Sequence, residues 1–194
     1  CSSDLDRAFF ASEELLTAKI PEGIERIGDD VFNSCKAMTS IIIPQSLKSV
    51  GRSAFEYCVS LGSITLPAGV TSIGPKAFEG CFLLKTFVAQ MPDPDRVMLG
   101  DDVFRLVPKD NTKKTFCQLY VPEGSKQKYE AAAQWKDFAP NILEGLPLGI
   151  RPLENEKSTR KSGIYRLDGV RCQGSLQQLP AGIYIVNGKK VAKK

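Results

Sequence analysis

The chain has 194 residues, a formal net charge of +4, 42% apolar and 25% charged residues. Those fractions argue against global disorder, and no apolar run approaches the ~20 residues that a membrane-spanning helix needs. Histidine is absent, which removes Ser-His-Asp and Cys-His nucleophile arrangements and the commonest metal ligand at once.

Charge is unevenly placed. Residues 1–150 carry 16 Lys or Arg against 19 Asp or Glu, whereas residues 151–194 carry 10 against 3. A basic tail suits nucleic acid, but no aromatic–basic interleaving or reader motif accompanies it. A solvated or anion-facing tail is the reading adopted, with no nucleic-acid partner.

From Ala8 onward the chain repeats itself. Phe32, Phe55 and Phe78 recur every 23 residues, in step with Cys35, Cys58 and Cys81 and with Pro21, Pro44 and Pro67. Between them run Ile24, Leu47, Val70 and then Ile27, Val50, Ile73, each of the latter followed by Gly28, Gly51 or Gly74. A fixed period of this length signals one unit stacked on copies of itself, a solenoid of 23-residue coils.

Within a unit, Leu61, Ile64 and Leu66 alternate with Ser63 and Thr65, the pattern of a half-buried strand. Pro67, lacking an N–H, ends it. A second short strand carries Val70 and Ile73, Gly74 is expected to turn the chain, and Ala77-Phe78 plugs the coil from inside. Upstream, Ala8-Phe9, Leu15, Ala18 and Ile20 fill the same slots, with Ser12 in place of cysteine. Downstream, Cys81, Leu84, Phe87 and Ala89 begin another coil. Gln90 then replaces the proline, and the pattern is expected to dissolve in MPDPDRVMLGDDVF. Atypical units at both ends are what capping requires.

Residues 119–138 (LYVPEGSKQKYEAAAQWKDF) read as a strand, a Val121-Pro122 stop, and a helix N-capped by Ser125. Tyr129, Ala132 and Ala133 are expected on one face of it, covering the open end of the coils. Residues 146–162 carry proline and charge without periodicity and read as a linker. Residues 163–194 hold two hairpin signals, IYRL-DG-VRC and IYIV-NG-KKV, each with a type I′ turn dipeptide. So short a module needs a docking surface. The domain reading is therefore a solenoid with cap at 1–145, a linker at 146–162, and a two-hairpin β module at 163–194.

The cysteine column reads as small buried hydrophobes with inert thiols, since zinc sites use clustered spacings such as C-x-x-C. Asp93, Asp95, Asp101 and Asp102 lack the ligand order of a calcium loop and read as solvated. No cofactor and no metal is expected. The outward strand positions fall in two columns, Thr17, Ser40, Ser63, Thr86 and Lys19, Ile42, Thr65, Val88. These small hydroxyl and aliphatic side chains on a flat sheet are the candidate binding residues; a merely solvated face is the competing reading.

The I/L-P…I-G-x-x-A-F-x-x-C signature at residues 20–35, 43–58 and 66–81 resembles the BspA-like leucine-rich repeats of bacterial surface proteins of Bacteroidetes type. That resemblance implies a β-rich α/β solenoid, a right-handed leucine-rich-repeat superhelix with a helical C-terminal cap and a small β-hairpin module. It also implies a cell-surface or secreted location and a non-catalytic role in binding a host extracellular protein or glycan. The stretch 119–138 is similar to the capping segment such proteins carry. Residues 164–194 resemble the last part of a C-terminal sorting domain of Bacteroidetes secreted proteins. A chain beginning Cys1-Ser2-Ser3-Asp4 looks like a mature bacterial lipoprotein, anchored in the outer membrane by a lipid on Cys1; the alternative, that the sequence merely starts there, stays open. A structural spacer whose basic C-terminal module mediates sorting or attachment is the alternative function.

Overall fold

The structure, a computed structural model, describes residues 6–110, 116–147, 164–166, 171–172, 182–186 and 189–193, the last four ranges as backbone. Cys1 and nearly all of the expected linker at 146–162 lie outside the described residues. The chain divides into two compact units, Cys1–Gly149 and Ile150–Lys194.

In the first unit the strands are β1 (Thr17–Lys19), β2 (Arg26–Ile27), β3 (Ser40–Ile42), β4 (Ser49–Val50), β5 (Ser63–Leu66), β6 (Ser72–Ile73), β7 (Thr86–Ala89), β8 (Met98–Leu99), β9 (Gln118–Val121) and β10 (Ile142–Glu144). They form two parallel sheets, ordered β1-β3-β5-β7-β9-β10 and β2-β4-β6-β8. The early registers step by one repeat: Thr17 opposes Ser40, Ser40 opposes Ser63, and Ser63 opposes Thr86.

Both sheets drain into one core, and a column of phenylalanines runs through it. Phe9, Phe32, Phe55 and Phe78 stack at centroid spacings of 5.4, 5.4 and 5.3 Å with nearly parallel rings. The column does not stop there. Phe104 continues it 6.0 Å from Phe78, and β8 pairs with β6, Ile73 opposite Leu99. The expectation that the pattern dissolves after Gln90 is thus corrected: the step lengthens while the slots persist. The extra residues are taken up by a short 3₁₀ turn, Pro94–Arg96.

The repeating glycine has a different job from the one expected. Gly74 is not in the left-handed region; a Cβ there would sit 2.6 Å from Arg52 N and 2.7 Å from Gly51 C. Gly51 is as tightly placed, 2.6 Å from the Gly28 carbonyl carbon. The glycines let adjacent coils approach to backbone contact. The turning is done instead by residues two and six further on: Asp30, Ser53, Lys76 and Asp102, then Ser34, Tyr57, Gly80 and Leu106, all have φ between 51° and 72°. One glycine among eight left-handed corners means that the coil imposes the conformation on side chains that resist it.

Main-chain bonds along the stack supply the imposing force. Phe9, Phe32, Phe55 and Phe78 donate their N–H to Val31, Ala54, Ala77 and Val103 carbonyls at 2.8–2.9 Å. Asp6 Oδ1 accepts the Asp29 N–H at 2.8 Å, and Asp29 Oδ1 accepts the Arg52 N–H at 2.9 Å. The cysteines join in. Cys35, Cys58 and Cys81 donate their thiols to the Phe9, Phe32 and Phe55 carbonyls at 3.0, 3.1 and 3.3 Å. They are unpaired as disulfides, and their role goes beyond filling space.

Beyond β9, helix α1 (Lys126–Ala131) and a 3₁₀ turn at Trp135–Phe138 lie against the last coil. Two details differ from expectation. Ser125 does not cap the helix with its side chain; its hydroxyl donates to the Pro122 carbonyl, and the Lys126 N–H is taken by Glu144 Oε1 at 3.0 Å. Ala133 is exposed, because the helix ends at Ala131 and the chain changes direction. Trp135 and Phe138 do the covering, 4.8 and 5.1 Å from Phe104, with Tyr129 5.2 Å from Trp135.

In the second unit β11 (Ile164–Arg166), β12 (Arg171–Cys172), β13 (Gly182–Val186) and β14 (Lys189–Lys193) form an antiparallel sheet ordered β12-β11-β13-β14. Between β13 and β14, Val186 opposes Lys189. Between β11 and β12, Ile164 opposes Cys172. The two expected turn dipeptides, Asp168-Gly169 and Asn187-Gly188, lie outside the described residues.

Four outcomes follow from this packing. Gly74→Ala pushes a methyl into neighbouring backbone and lowers the unfolding free energy by about 1–3 kcal/mol in urea titration. Gly62→Ala, whose nearest neighbour would be Thr39 O at 3.8 Å, stays within about 0.5 kcal/mol of the parent. Leu106→Gly relieves an exposed left-handed corner and gains about 0.5–1 kcal/mol. The fourth concerns pH. Burial raises the thiols of Cys58, Cys81 and Cys117 above their ordinary value of 9.0, Cys117 to about 12. Above pH 9 the folded chain therefore holds protons that the unfolded chain has lost, and stability falls as pH rises. Each such thiol contributes up to about 1.4 kcal/mol per pH unit. Urea midpoints measured from pH 8 to 11 should fall steadily, and Cys58→Ala should flatten that fall by about one proton.

Candidate functional site

The six-stranded sheet has one face in the core and one face turned outward, as strand alternation dictates. Isoleucine, leucine and phenylalanine at Ile41, Ile64, Phe87 and Leu119 point inward and are buried. The residues beside them therefore form outward rows that run across the strands in register.

The first row is Thr17, Ser40, Ser63, Thr86 and then Gln118. Thr17 and Ser40 are exposed, while Ser63 and Thr86 are half-buried. In the second row Lys19 and Ile42 are exposed and Thr65 is half-buried. Val88 breaks the expectation: it is only 2% exposed. It stands in register between Thr65 and Tyr120, flanked on both sides, and is not available to a ligand.

Three residues of this face were not recognised from the sequence. Gln118, Tyr120 and Leu143 extend the rows by two strands, and Tyr120 donates its hydroxyl to Gln118 Oε1 at 3.2 Å. The available signal was Leu-Tyr-Val-Pro at 119–122, which repeats the strand-then-proline form of Ile-Thr-Leu-Pro at 64–67. A 32-residue step from Thr86 to Gln118 hid it.

The face is chemically quiet but not inert. Among the described residues no partner takes up the hydroxyls of Thr17, Ser40, Ser63, Thr65 or Thr86. Beside them Ile42 is 46% and Leu143 37% exposed. Where the last strands end, a shallow cleft of about 250 Å³ opens between Ala89, Gln90, Val121, Pro122, Gly145 and Leu146. It sits where Gln90 replaces the repeating proline. A wider depression of about 780 Å³ near Asp101, Arg105, Lys109 and Asp137 is less suited to a ligand. Its two cations are already matched, Lys109 to Asp137 at 3.7 Å and Arg105 to Glu79 at 3.0 Å.

Nothing on the outward face resembles catalytic machinery. Burial raises the Tyr129 hydroxyl above its ordinary value, and that group donates to the Met91 carbonyl at 2.8 Å. The buried thiols are likewise raised and engaged. Asp93 is paired with Arg96 and Lys128, and among the described residues no three His, Cys, Asp or Glu gather as a metal site. Among them, too, no helix is long and apolar enough to cross a membrane.

Comparison with known proteins agrees with this geometry. No curated protein sequence matches the chain. Among solved structures, the T. pallidum leucine-rich repeat protein TpLRR is similar at 25% identity and a TM-score of 0.51, over 59% of this chain and 50% of that one. A leucine-rich cell surface protein from Faecalibacterium prausnitzii A2-165 is 36% identical over 43% of this chain and 22% of its own, with a TM-score of 0.40. A leucine-rich repeat protein from Bacteroides ovatus ATCC 8483 is 26% identical over 66% and 30%, with a TM-score of 0.45. The chain thus spans half the length of these structures or less. Six copies of the BspA type leucine rich repeat match residues 4–104, more than half the chain. With the stacked parallel strands and the phenylalanine column, this places the protein in the BspA-type leucine-rich-repeat family.

Proposed function

We propose that this protein is a non-catalytic binding protein of the bacterial surface or exterior, and that it presents the outward rows of the six-stranded sheet to a host protein or glycan. One observation carries the reading: unpartnered hydroxyls of Ser40, Ser63, Thr65 and Thr86 lie in register beside exposed Ile42 and Leu143. Hydrogen-bonding groups next to apolar side chains on a rigid sheet suit both a sugar chain and a peptide surface. Membership of the family supports the non-catalytic assignment, and the F. prausnitzii relative is described as a cell surface protein.

On this reading residues 119–145 serve as the C-terminal cap, with Trp135 and Phe138 closing the core. The 163–194 module serves attachment or sorting, and a lipid on Cys1 supplies the anchor. The competing spacer reading draws support from the charge imbalance of the tail.

Glycan and extracellular-matrix protein arrays test the proposal. Ligands captured by the parent should be lost, by about tenfold or more in Kd, in Ile42→Arg and Ser63→Arg, with far-UV circular dichroism unchanged. If both variants bind like the parent while removal of residues 147–194 abolishes capture, the sheet face is not the binding surface.

A further inference from the structure

The outward rows of the six-stranded sheet set a fixed interval as well as a surface. Strands that pair in register lie about 4.8 Å apart, and the phenylalanine rings behind them step by 5.4, 5.4 and 5.3 Å. The step persists where the sequence interval lengthens, because Gln118 opposes Thr86 and Leu143 opposes Tyr120. A linear ligand that touches every coil must repeat its own contacts at that spacing.

Polypeptide does not keep that spacing. An extended peptide returns a side chain to the same side only every ~6.7 Å and soon falls out of step. An α-helix sets residues of one face ~4.5 or ~6.0 Å apart by turns, so its contacts come unevenly. A chain of equatorially linked pyranoses is extended, and each ring advances it by close to one strand spacing. The 1→4 linkage also turns successive rings over, so hydroxymethyl groups and ring hydroxyls alternate along each side of the chain. The second row alternates too: Lys19, Thr65 and Tyr120 bear polar ends, and Ile42, Val88 and Leu143 are aliphatic. Val88 keeps its place in that order but is buried, so contact at that step falls to its neighbours. The first row offers a hydroxyl at every step from Thr17 to Thr86 and an amide at Gln118.

We propose that the ligand of this face is a neutral, unbranched polysaccharide of equatorially 1→4-linked pyranoses, laid across the strands with one ring to each coil. The inference rests on the binding face proposed above and narrows what that face binds. Neither row contains a carboxylate, and Lys19 at one margin is their only charge. Recognition therefore relies on hydrogen bonds and apolar contact, which a neutral sugar chain supplies along its whole length. The hydroxyls of the first row bond to one side of the chain, while Ile42 and Leu143 pack against the C–H groups of its rings.

Calorimetric titration of the full chain with β-1,4-linked oligomers of glucose and of N-acetylglucosamine, in increasing length, is the test. In at least one series affinity should rise with each added ring, and the hexamer should bind about tenfold or more tightly than the dimer. Maltohexaose, glucose in axial linkage, should bind about tenfold or more weakly than that hexamer. Ser63→Arg, in the middle of the row, should flatten the length dependence, whereas Thr17→Arg at its margin should cost only the gain of one ring. Affinity that does not change with length, or equal binding of maltohexaose, overturns the proposal. So does a lack of binding in both series beside capture of a protein that Ser63→Arg abolishes; the face then stands, and its ligand is a polypeptide. If neither sugar nor protein capture responds to Ile42→Arg or Ser63→Arg, the face itself is wrong and the inference falls with it.

Discussion

The whole solenoid rests on how closely one coil may approach the next. Gly51 and Gly74 have no room for a methyl, because the backbone of the previous coil lies 2.6 Å from where it would go. That approach sets the parallel pairing of both sheets, brings the phenylalanine rings to stacking distance, and lets each thiol reach the carbonyl of the coil before it. A single coil has none of these contacts. Stability in such a fold is therefore a property of neighbours rather than of units.

The repetition also decides what kind of surface the protein can offer. A pocket needs walls from different directions, whereas stacked strands give rows of side chains at fixed intervals. Thr17, Ser40, Ser63 and Thr86 form such a row without any one of them being placed for chemistry. Binding by a rigid array spreads recognition over several weak contacts, and family membership is consistent with that use. The departures from regularity, Gln90 for proline and Tyr120 beside Val88, fall together at the late strands, where the shallow cleft lies.

The core was largely legible before the structure because each slot recurs in the sequence. Phe32, Phe55 and Phe78 announce the column, and Leu61, Ile64 and Leu66 announce the inward face of a strand. What escaped reading was whatever depended on an uneven step. Phe104 and Leu99 occupy their slots after a 26-residue interval, and Gln118 after 32, so matching by period alone lost them. The corners were illegible for another reason. Tyr57, Lys76 and Leu106 are not residues that favour a positive φ, and only the surrounding hydrogen bonds explain why they adopt it. Ser125 looked like a helix cap because its type and place were right, but Glu144 from a distant strand took that role. On the candidate face, Val88 follows the alternation correctly, yet burial depends on its neighbours Thr65 and Tyr120, which periodicity cannot weigh.

The hydrogen bonds between Phe9 and Val31, Phe32 and Ala54, Phe55 and Ala77 all run along the stack, not around a coil. A pull applied along that direction loads them one after another rather than together. Tyr129, Trp135 and Phe138 brace the coil that bears Phe104. Each coil is therefore a rung that leans on the one beside it, and the stack bears load along its length rung by rung.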